Sequence, residues 1–421
     1  MPNLQPLVTI LAGFTIGLTI MDQAASSQPP VLALVGGTVY VSPAEEPIRD
    51  GVVLIENGKI AAVGRKSAVK IPAGARTIDC SGRTITAGFW NSHVHFFERK
   101  WTNVETIPAS ELGRQLQEML TCYGFTSVFD LGSLWANTHK LRERIASGEV
   151  AGPRIRSTGE GIIPPGTGPS DTVLAMMGSM KVPVAEVADA AQATEAVRKR
   201  IEEGADAIKI FASGPRGPAL DPATIQAAVE VAHRAGKLVF VHPNTAADVQ
   251  TAVNGGVDII AHTTPRTGPW EPSLIESMKA HHVDLTPTVW LWTYFARHDR
   301  LSAQDHTTET SVGQLRAWST AGGTVLFGTD IGAVDYDPSQ EYSLMARAGM
   351  SFPQILASLT TAPAARFGDS DRVGRIAPGF AADLVVLGGD PATDLRALTR
   401  VEYTLRDGQI IYQADGHATH N

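Results

Sequence analysis

The chain is 421 residues long, 43% hydrophobic and 19% charged, with a formal net charge of −8. That balance belongs to a folded globular protein with room for a large core and more than one structural unit. No run rich in Lys and Arg is present, which excludes the electrostatic footprint of a nucleic-acid binder. The two cysteines, Cys80 and Cys122, have no metal or redox spacing.

The first element is an uncharged apolar run, "LVTILAGFTIGLTIM" from Leu7, followed by the small-residue stretch "DQAASSQPP". It is short for a bilayer span, which takes about 20 apolar residues, and suits a signal-peptide core, although no Lys or Arg precedes it. We expect residues 1–30 to be a signal peptide or leader and the mature protein to be exported, periplasmic or secreted. An uncleaved anchor and a misplaced start are the alternatives, and if the segment is not a signal peptide we expect a cytoplasmic protein. No other segment reads as a membrane span.

Residues 31–87 read as short β-strands: "ALVGGTVYV", "GVVLIENGKIAAVG" and "RTIDCSGRTITAG", with Asn57-Gly58 as a hairpin signal. A second β-rich piece closes the chain, "GRIAPGFAADLVVLGG" and "RVEYTLRDGQIIYQ", with a turn at Asp407-Gly408. Each piece is short for a core of its own. We expect the two, residues 31–87 and 366–421, to form one small β-sandwich with the middle of the chain inserted between them.

Between them, strand and helix patterns alternate. The strands are "AGFWNSHVHF", "TSVFDLG", "RIRSTGEGI", "AIKIFAS", "LVFVHP", "DIIAHTT", "VDLTPTV" and "TVLFGTD", and amphipathic stretches such as "PATIQAAVEVAHRAG" separate most of them. Alternation of this kind implies a parallel sheet, and eight strands suit a (β/α)8 TIM-like barrel over residues 88–365. A doubly wound open sheet is the competitor, but no Gly-rich phosphate loop follows the first strand.

Polar residues sit at one end of these strands. His93 and His95 lie on the first, Lys209 on the fourth, His242 on the fifth, His262 on the sixth and Asp330 on the eighth. Residues two apart on a strand share a face, and C-terminal strand ends are where barrels build active sites. Imidazole nitrogens and a carboxylate converging there make a divalent-metal site, with zinc the leading candidate. Taken singly, each has an ordinary explanation: a hydrogen-bonded structural histidine, a helix-capping aspartate, a salt-bridged lysine. Their joint occurrence at one end outweighs those explanations.

Together with "TAGFWNSHVH", "DAIKIFAS", "VFVHP", "DIIAHTT", "LFGTD" and "GRIAPGFAADLVVL", these residues make the chain resemble the amidohydrolase superfamily over about residues 31–413. The resemblance is to the branch with imidazolonepropionase-like enzymes and Xaa-Pro dipeptidases. It implies two divalent cations: His93 and His95 on the more buried one, His242 and His262 on the second, and Lys209 carboxylated as a bridge. It also implies Asp330 as a ligand and as the acid/base that moves protons in a metal-dependent hydrolysis. Two departures bear on substrate. "AHTTP" stands where family members often have Glu-His-Gly, and "PNT" follows His242.

The activity so implied is hydrolysis of an amide C–N bond in an N-acyl amino acid, an Xaa-Pro dipeptide or an ochratoxin-like amide. A cyclic amide or imidazolone hydrolase, a deaminase, and a lactonase or esterase are the alternatives on the same site, as is a non-enzymatic barrel, which would be expected to lose ligands. Deaminases of the superfamily tend to carry Glu three residues after the strand-five histidine, where this chain has Thr245. "PTVWLWTYF" offers Trp290 and Trp292 as an aromatic wall for an apolar substrate group, or as helix packing. Arg216 in "SGPRGP" is placed to grip a substrate carboxylate, or is a solvated loop arginine. The segment "PPGTGPSDTVLAMMGSMKVPVAE" reads as a lid or an elaborated loop. Expected partners are a small-molecule substrate and further copies in a homo-oligomer, with no nucleic acid and no membrane span in the mature protein.

Protein recovered from its native cell is expected to begin near residues 25–31 and to lie outside the cytoplasm. N-terminal sequencing checks this, and an intact Met1 on cytoplasmic protein would reject it.

Overall fold

A computed structural model describes residues 31–168, 184–214, 217–298 and 306–415. The expected leader, Arg216 and most of the segment read as a lid lie outside the described residues. Among the described residues, no helix is long and apolar enough to cross a membrane.

The chain opens with β1 (Leu32–Val39), β2 (Ile48–Glu56), β3 (Lys59–Arg65), β4 (Arg76–Asp79) and β5 (Thr84–Ala87). Next come β6 (Phe89–Val94), β7 (Phe125–Asp130), β8 (Arg154–Ser157), β9 (Ile162–Ile163) and β10 (Ala185–Glu186). They are followed by β11 (Ile208–Phe211), β12 (Val239–His242), β13 (Ile259–Ala261) and β14 (Asp284–Thr286). It closes with β15 (Leu384–Leu387), β16 (Val401–Arg406) and β17 (Gln409–Gln413). The helices begin with α1 (Ala109–Met119), α2 (Trp135–Ala146), α3 (Ala190–Glu202), α4 (Pro222–Arg234) and α5 (Ala246–Asn254). After these come α6 (Pro272–Ala280), α7 (Val289–His298), α8 (Thr307–Thr320), α9 (Ser339–Arg347), α10 (Phe352–Leu359) and α11 (Thr361–Arg366).

The two ends of the chain meet in one eight-stranded sheet, in the order β17-β16-β15-β5-β1-β2-β3 with β4 beside β1. The join is the antiparallel pair β5–β15, registered from Leu384 opposite Ala87 to Leu387 opposite Thr84. Alternation explains why neither piece suffices alone. Leu34, Val53 and Ile85 from one end and Leu384, Val386 and Leu405 from the other bury into a single cluster. Both expected hairpin turns form, with positive φ at Asn57 and Gly58 and at Asp407 and Gly408, the backbone that Asn-Gly and Asp-Gly tolerate best.

The middle of the chain is α/β with parallel strands, in the orders β6-β7-β8 and β10-β9-β11-β12-β13-β14. Backbone bonds link these sheets at both margins. Asp206 N donates to Ser157 O at 2.8 Å, next to β11 and β8 respectively. Residues 324–331 lie between β14 and β6, with Leu326 N on Leu285 O at 2.9 Å and Ser92 N on Phe327 O at 2.7 Å. This is the expected eighth strand, and it differs from expectation in pairing only through bridges at Val325 and Ile331. The reason is local. The Asn91 side chain occupies the ladder, donating to Thr329 Oγ1 at 2.8 Å and accepting from Thr329 N at 3.3 Å.

Helices cover the outside because they are capped and half-apolar. Asp221 accepts the Thr224 N–H at the start of α4, ahead of Pro222, and Thr245 and Asp248 form a capping box on α5. The unforeseen helix α2 buries only Thr138, Leu141, Arg144 and Ile145, so half of its buried stripe is polar. Ile208 and Ile210 of β11 face the cluster shared with the helices, while Ala207 joins Trp90, Phe129, Phe240 and Leu326 in a separate inner cluster. Lys209, between the two isoleucines, therefore points inward.

Arg154 at the start of β8 ties the two sheets together, bonding both Asp383 and Asp407. Asp383 is buried, which raises its pKa despite the guanidinium beside it. Removing one partner of such a pair strands the other charge. Arg154→Ala is expected to cost roughly 3–5 kcal/mol of stability, read from urea or thermal unfolding. Addition of Asp383→Asn should recover part of that loss.

Candidate metal centre

Four of the six expected residues meet at one carboxylate. Asp330 Oδ1 lies 2.9 Å from Nε2 of His95 and 3.6 Å from Nε2 of His93, and its Oδ2 lies 3.6 Å from Nε2 of His262. One ligand atom from each of His93, His262 and Asp330 falls within 4.8 Å of the others. The His242 ring stands 4.6 Å from that of His262, edge to face. Lys209 is 2% exposed, with Nζ 5.4 Å from the centre of the Phe211 ring and no hydrogen-bond partner.

Backbone conformation makes the convergence possible. Asp330 N donates to His93 O at 2.9 Å and His95 N to Ile331 O at 2.8 Å, which locks residues 330–331 to the end of β6. Asp330 itself has φ 58°, in the left-handed region that Asp tolerates better than most residues. His262 needs a similar device. Ile259 and Ala261 face the inner cluster, so strict alternation would send His262 outward, and a φ of 154° turns it back.

Burial sets the protonation states. It is the largest cause holding His93 and His262 well below the ordinary imidazole range, reinforced by the Lys209 charge at His93 and by His242 at His262. His242 is pushed down to about 3 by burial and then by Lys209. Burial also pushes the Lys209 amine down to about 7, against the pull of Asp330. A neutral imidazole offers a lone pair rather than a charge, the state a metal ligand needs. Both ring nitrogens of His93 and Nδ1 of His95 also lack hydrogen-bond partners. Buried polar atoms are rarely left so, and this set fits a cation.

Several supporting residues were not foreseen. Thr288 Oγ1 lies 2.5 Å from His262 Nδ1. Asp130, fully buried at the end of β7, accepts from Ser157 at 2.7 Å and Thr138 at 3.3 Å, and from Ser133, which in turn accepts from Phe96 N at 2.6 Å. Burial raises the pKa of Asp130, opposed first by nearby His95. Glu341, also fully buried, accepts from the backbone of Val289 and Trp290. A signal for Glu341 existed: it precedes Leu344, Met345 and Ala348 at helical spacing on a buried face.

Of the expected wall, only Trp292 reaches the site. Its ring is 6.0 Å from that of His262, and its buried Nε1 has no partner. Trp290 is instead turned toward α7 and the loop beyond Asp330, donating to Asp335 at 3.0 Å and packing on Tyr294. Thr245, where the deaminases tend to carry Glu, is the cap of α5.

The amidohydrolase family profile matches residues 84–411. The ochratoxinase of Aspergillus niger is 25% identical over 400 residues, covering 83% of this chain and 80% of that protein. Its crystal structure superposes with TM-score 0.74 at 22% identity, over 93% and 97% of the two chains. A Xaa-Pro dipeptidase with methionine bound in its active site gives TM-score 0.77 at 22% identity, over 91% and 100%. A prolidase complexed with N-methylphosphonate-L-proline gives 0.73 at 26% identity, also over 91% and 100%.

Gly328 tests how tightly the centre is held. A Cβ there would sit 2.3 Å from Thr286 Cγ2 and 2.8 Å from His93 Cβ, too close for either to remain in place. Gly328→Ala is expected to displace His93 and weaken metal binding by roughly 10-fold or more. Metal content per chain after dialysis against a weak chelator measures this, and unchanged content would show that His93 is not a ligand.

Proposed function

We infer the function from one premise: the chain belongs to the amidohydrolase family and is a hydrolase acting on carbon–nitrogen bonds. We take residues 88–365 as a closed (β/α)8 barrel and residues 31–87 and 366–421 as a small β-sandwich beside it. The backbone bonds carrying residues 324–331 from β14 to β6 support closure on one side, and those from Ser157 to Asp206 support it on the other.

In this barrel His93, His95 and Asp330 would hold one divalent cation, and His242 and His262 a second. Lys209, as a carbamate, would bridge them. Zinc is the metal we propose, from the imidazole-and-carboxylate donor set. The observation that carries the assignment is the group of buried, unpartnered nitrogens on His93, His95 and Lys209 around the Asp330 carboxylate. Left empty, each would cost roughly 1–3 kcal/mol. A buried amine near pKa 7 also suits attack on carbon dioxide: its neutral form makes the N–C bond, releases one proton and becomes an anion with two oxygens.

Bound cations would bring the pKa of a shared water toward about 7 and polarise the scissile carbonyl. The chain's own part is proton transfer and positioning. Asp330 takes the proton of the attacking water and delivers it to the departing nitrogen. Thr288 holds the His262 ring, and the low exposure of the histidines excludes bulk water. Trp292 offers an apolar surface beside His262 for one side of the amide.

The substrate we propose is an amide joining an acyl group to an amino acid: an N-acyl amino acid, an Xaa-Pro dipeptide or an ochratoxin-like amide. The ochratoxinase and prolidase relatives support this class. The test is a panel of these compounds with lactones and cyclic ureas as comparators, assayed on zinc-reconstituted protein. Turnover of lactones or cyclic ureas alone would reject the amide assignment.

Lys209→Ala is expected to bind fewer metal ions per chain and to lose nearly all turnover, with partial recovery in short carboxylic acids that replace the bridge. Metal stoichiometry and rate are read together. One metal beside an unmodified amine in active enzyme would refute the bridge.

A further inference from the structure

Glu341 is a buried acidic residue that the proposed chemistry does not use. It lies on α9 with no exposed surface. Its Oε1 accepts the Val289 N–H at 3.0 Å and its Oε2 accepts the Trp290 N–H at 2.7 Å. These are the first amides of α7, groups without partners inside their own helix, at the end where the helix dipole favours an anion. Burial nevertheless pushes the carboxyl up to about 7, with both N–H bonds opposing it.

The residue just before these amides is Thr288, whose hydroxyl oxygen is 2.5 Å from Nδ1 of His262. Nε2 of His262 faces Asp330. For Nε2 to offer a lone pair there, Nδ1 must carry the ring proton and donate it to Thr288 Oγ1. Thr288 performs this from φ 41°, in the left-handed region where a β-branched residue is strained. Such a conformation persists only where its surroundings over-determine it. Two anchors do so: the imidazole on its side chain and the Glu341 carboxylate on the two amides that follow.

We propose that Glu341 is a positioning residue for His262, acting through the backbone of Val289 and Trp290 and the hydroxyl of Thr288. It holds a strained strand exit in the one conformation that fixes the tautomer and aim of the imidazole. The same contact sets the first turn of α7, and with it Trp292 against the His262 ring. The link from the exit of β14 to the loop beyond Asp330 runs through Trp290, whose Nε1 donates to Asp335 at 3.0 Å. The inference rests on His262 being a metal ligand.

Cobalt titration of apoprotein, followed by the visible d–d bands, tests it without any activity measurement. Thr288→Val keeps the shape and removes the acceptor. It is expected to weaken cobalt binding about 10- to 100-fold and to alter the spectrum, while Thr288→Ser, which keeps the hydroxyl, stays near wild type. Glu341→Ala is expected to weaken binding in the same way and to add little to Thr288→Val in the double variant, the signature of one path. Glu341→Gln, whose single amide oxygen can accept only one of the two N–H groups, should fall between wild type and Glu341→Ala. Thr288→Val binding cobalt as tightly as wild type would overturn the proposal even if Glu341→Ala does not fold. Full additivity in the double variant would also overturn it. Wild-type protein that takes up no cobalt would instead refute the metal assignment itself, and the inference with it.

Discussion

The centre depends on a desolvated carboxylate faced by three imidazole nitrogens. Asp330 is 5% exposed and His93 and His262 no more than 1%. Removing water does two things at once. It holds the His93 and His262 imidazoles well below their ordinary range, and it leaves the ring nitrogens of His93 and the Lys209 amine without hydrogen-bond partners. A protein interior accepts that arrangement only where something else supplies the missing interactions, and a divalent cation does so with the fewest added atoms. The same dryness would strengthen every electrostatic contact made to a substrate there.

Holding like-natured groups together requires backbone that ordinary strands do not provide. Asp330, Thr288 and His262 all have positive φ at the ends of strands or strand-like segments, whereas Asn57 and Asp407 with the same feature sit in plain hairpin turns. The strained residues cluster around the candidate metal centre and are pinned by specific bonds: Asp330 through His93 O, Thr288 through His262 and its following amides. The opposite ends of the strands show different physics. There Arg366 joins Asp258 at 3.2 Å and Asp284 at 3.1 Å, next to the first residues of β13 and β14. Burial pushes Asp284 up to about 6 against that guanidinium. One end of the parallel strands carries ion pairs, and the other carries buried polar atoms without partners.

Strand positions were legible wherever alternation was strong. The strand "AIKIFAS" was legible with Lys209 in it, and the structure packs Ile208 and Ile210 on one side and Ala207 on the other. The segment "TVLFGTD" read as a strand too, but Asn91 takes over its ladder bonds, an exchange that only a neighbour 238 residues away could make. Trp290 and Trp292 are equivalent in the sequence, two residues apart in an aromatic run. On a helix that spacing separates their directions by about half a turn, so only Trp292 reaches His262. Helix α2 escaped notice because its buried face is half polar.

The sequence by itself determined the chemistry: imidazoles, a carboxylate and a lysine at corresponding ends of alternating strands, and two terminal β-pieces that need one another for a core. Those properties follow from residue type and from periods of two and 3.6, which neighbours along the chain impose. Only the tertiary structure decided that three Nε2 atoms share one carboxylate, that Thr288 meets the far side of His262, and that Glu341 caps the helix after it. Each of those contacts joins separate elements across the fold. Their distances are set by how strands register and helices pack, and local periodicity carries no information about either.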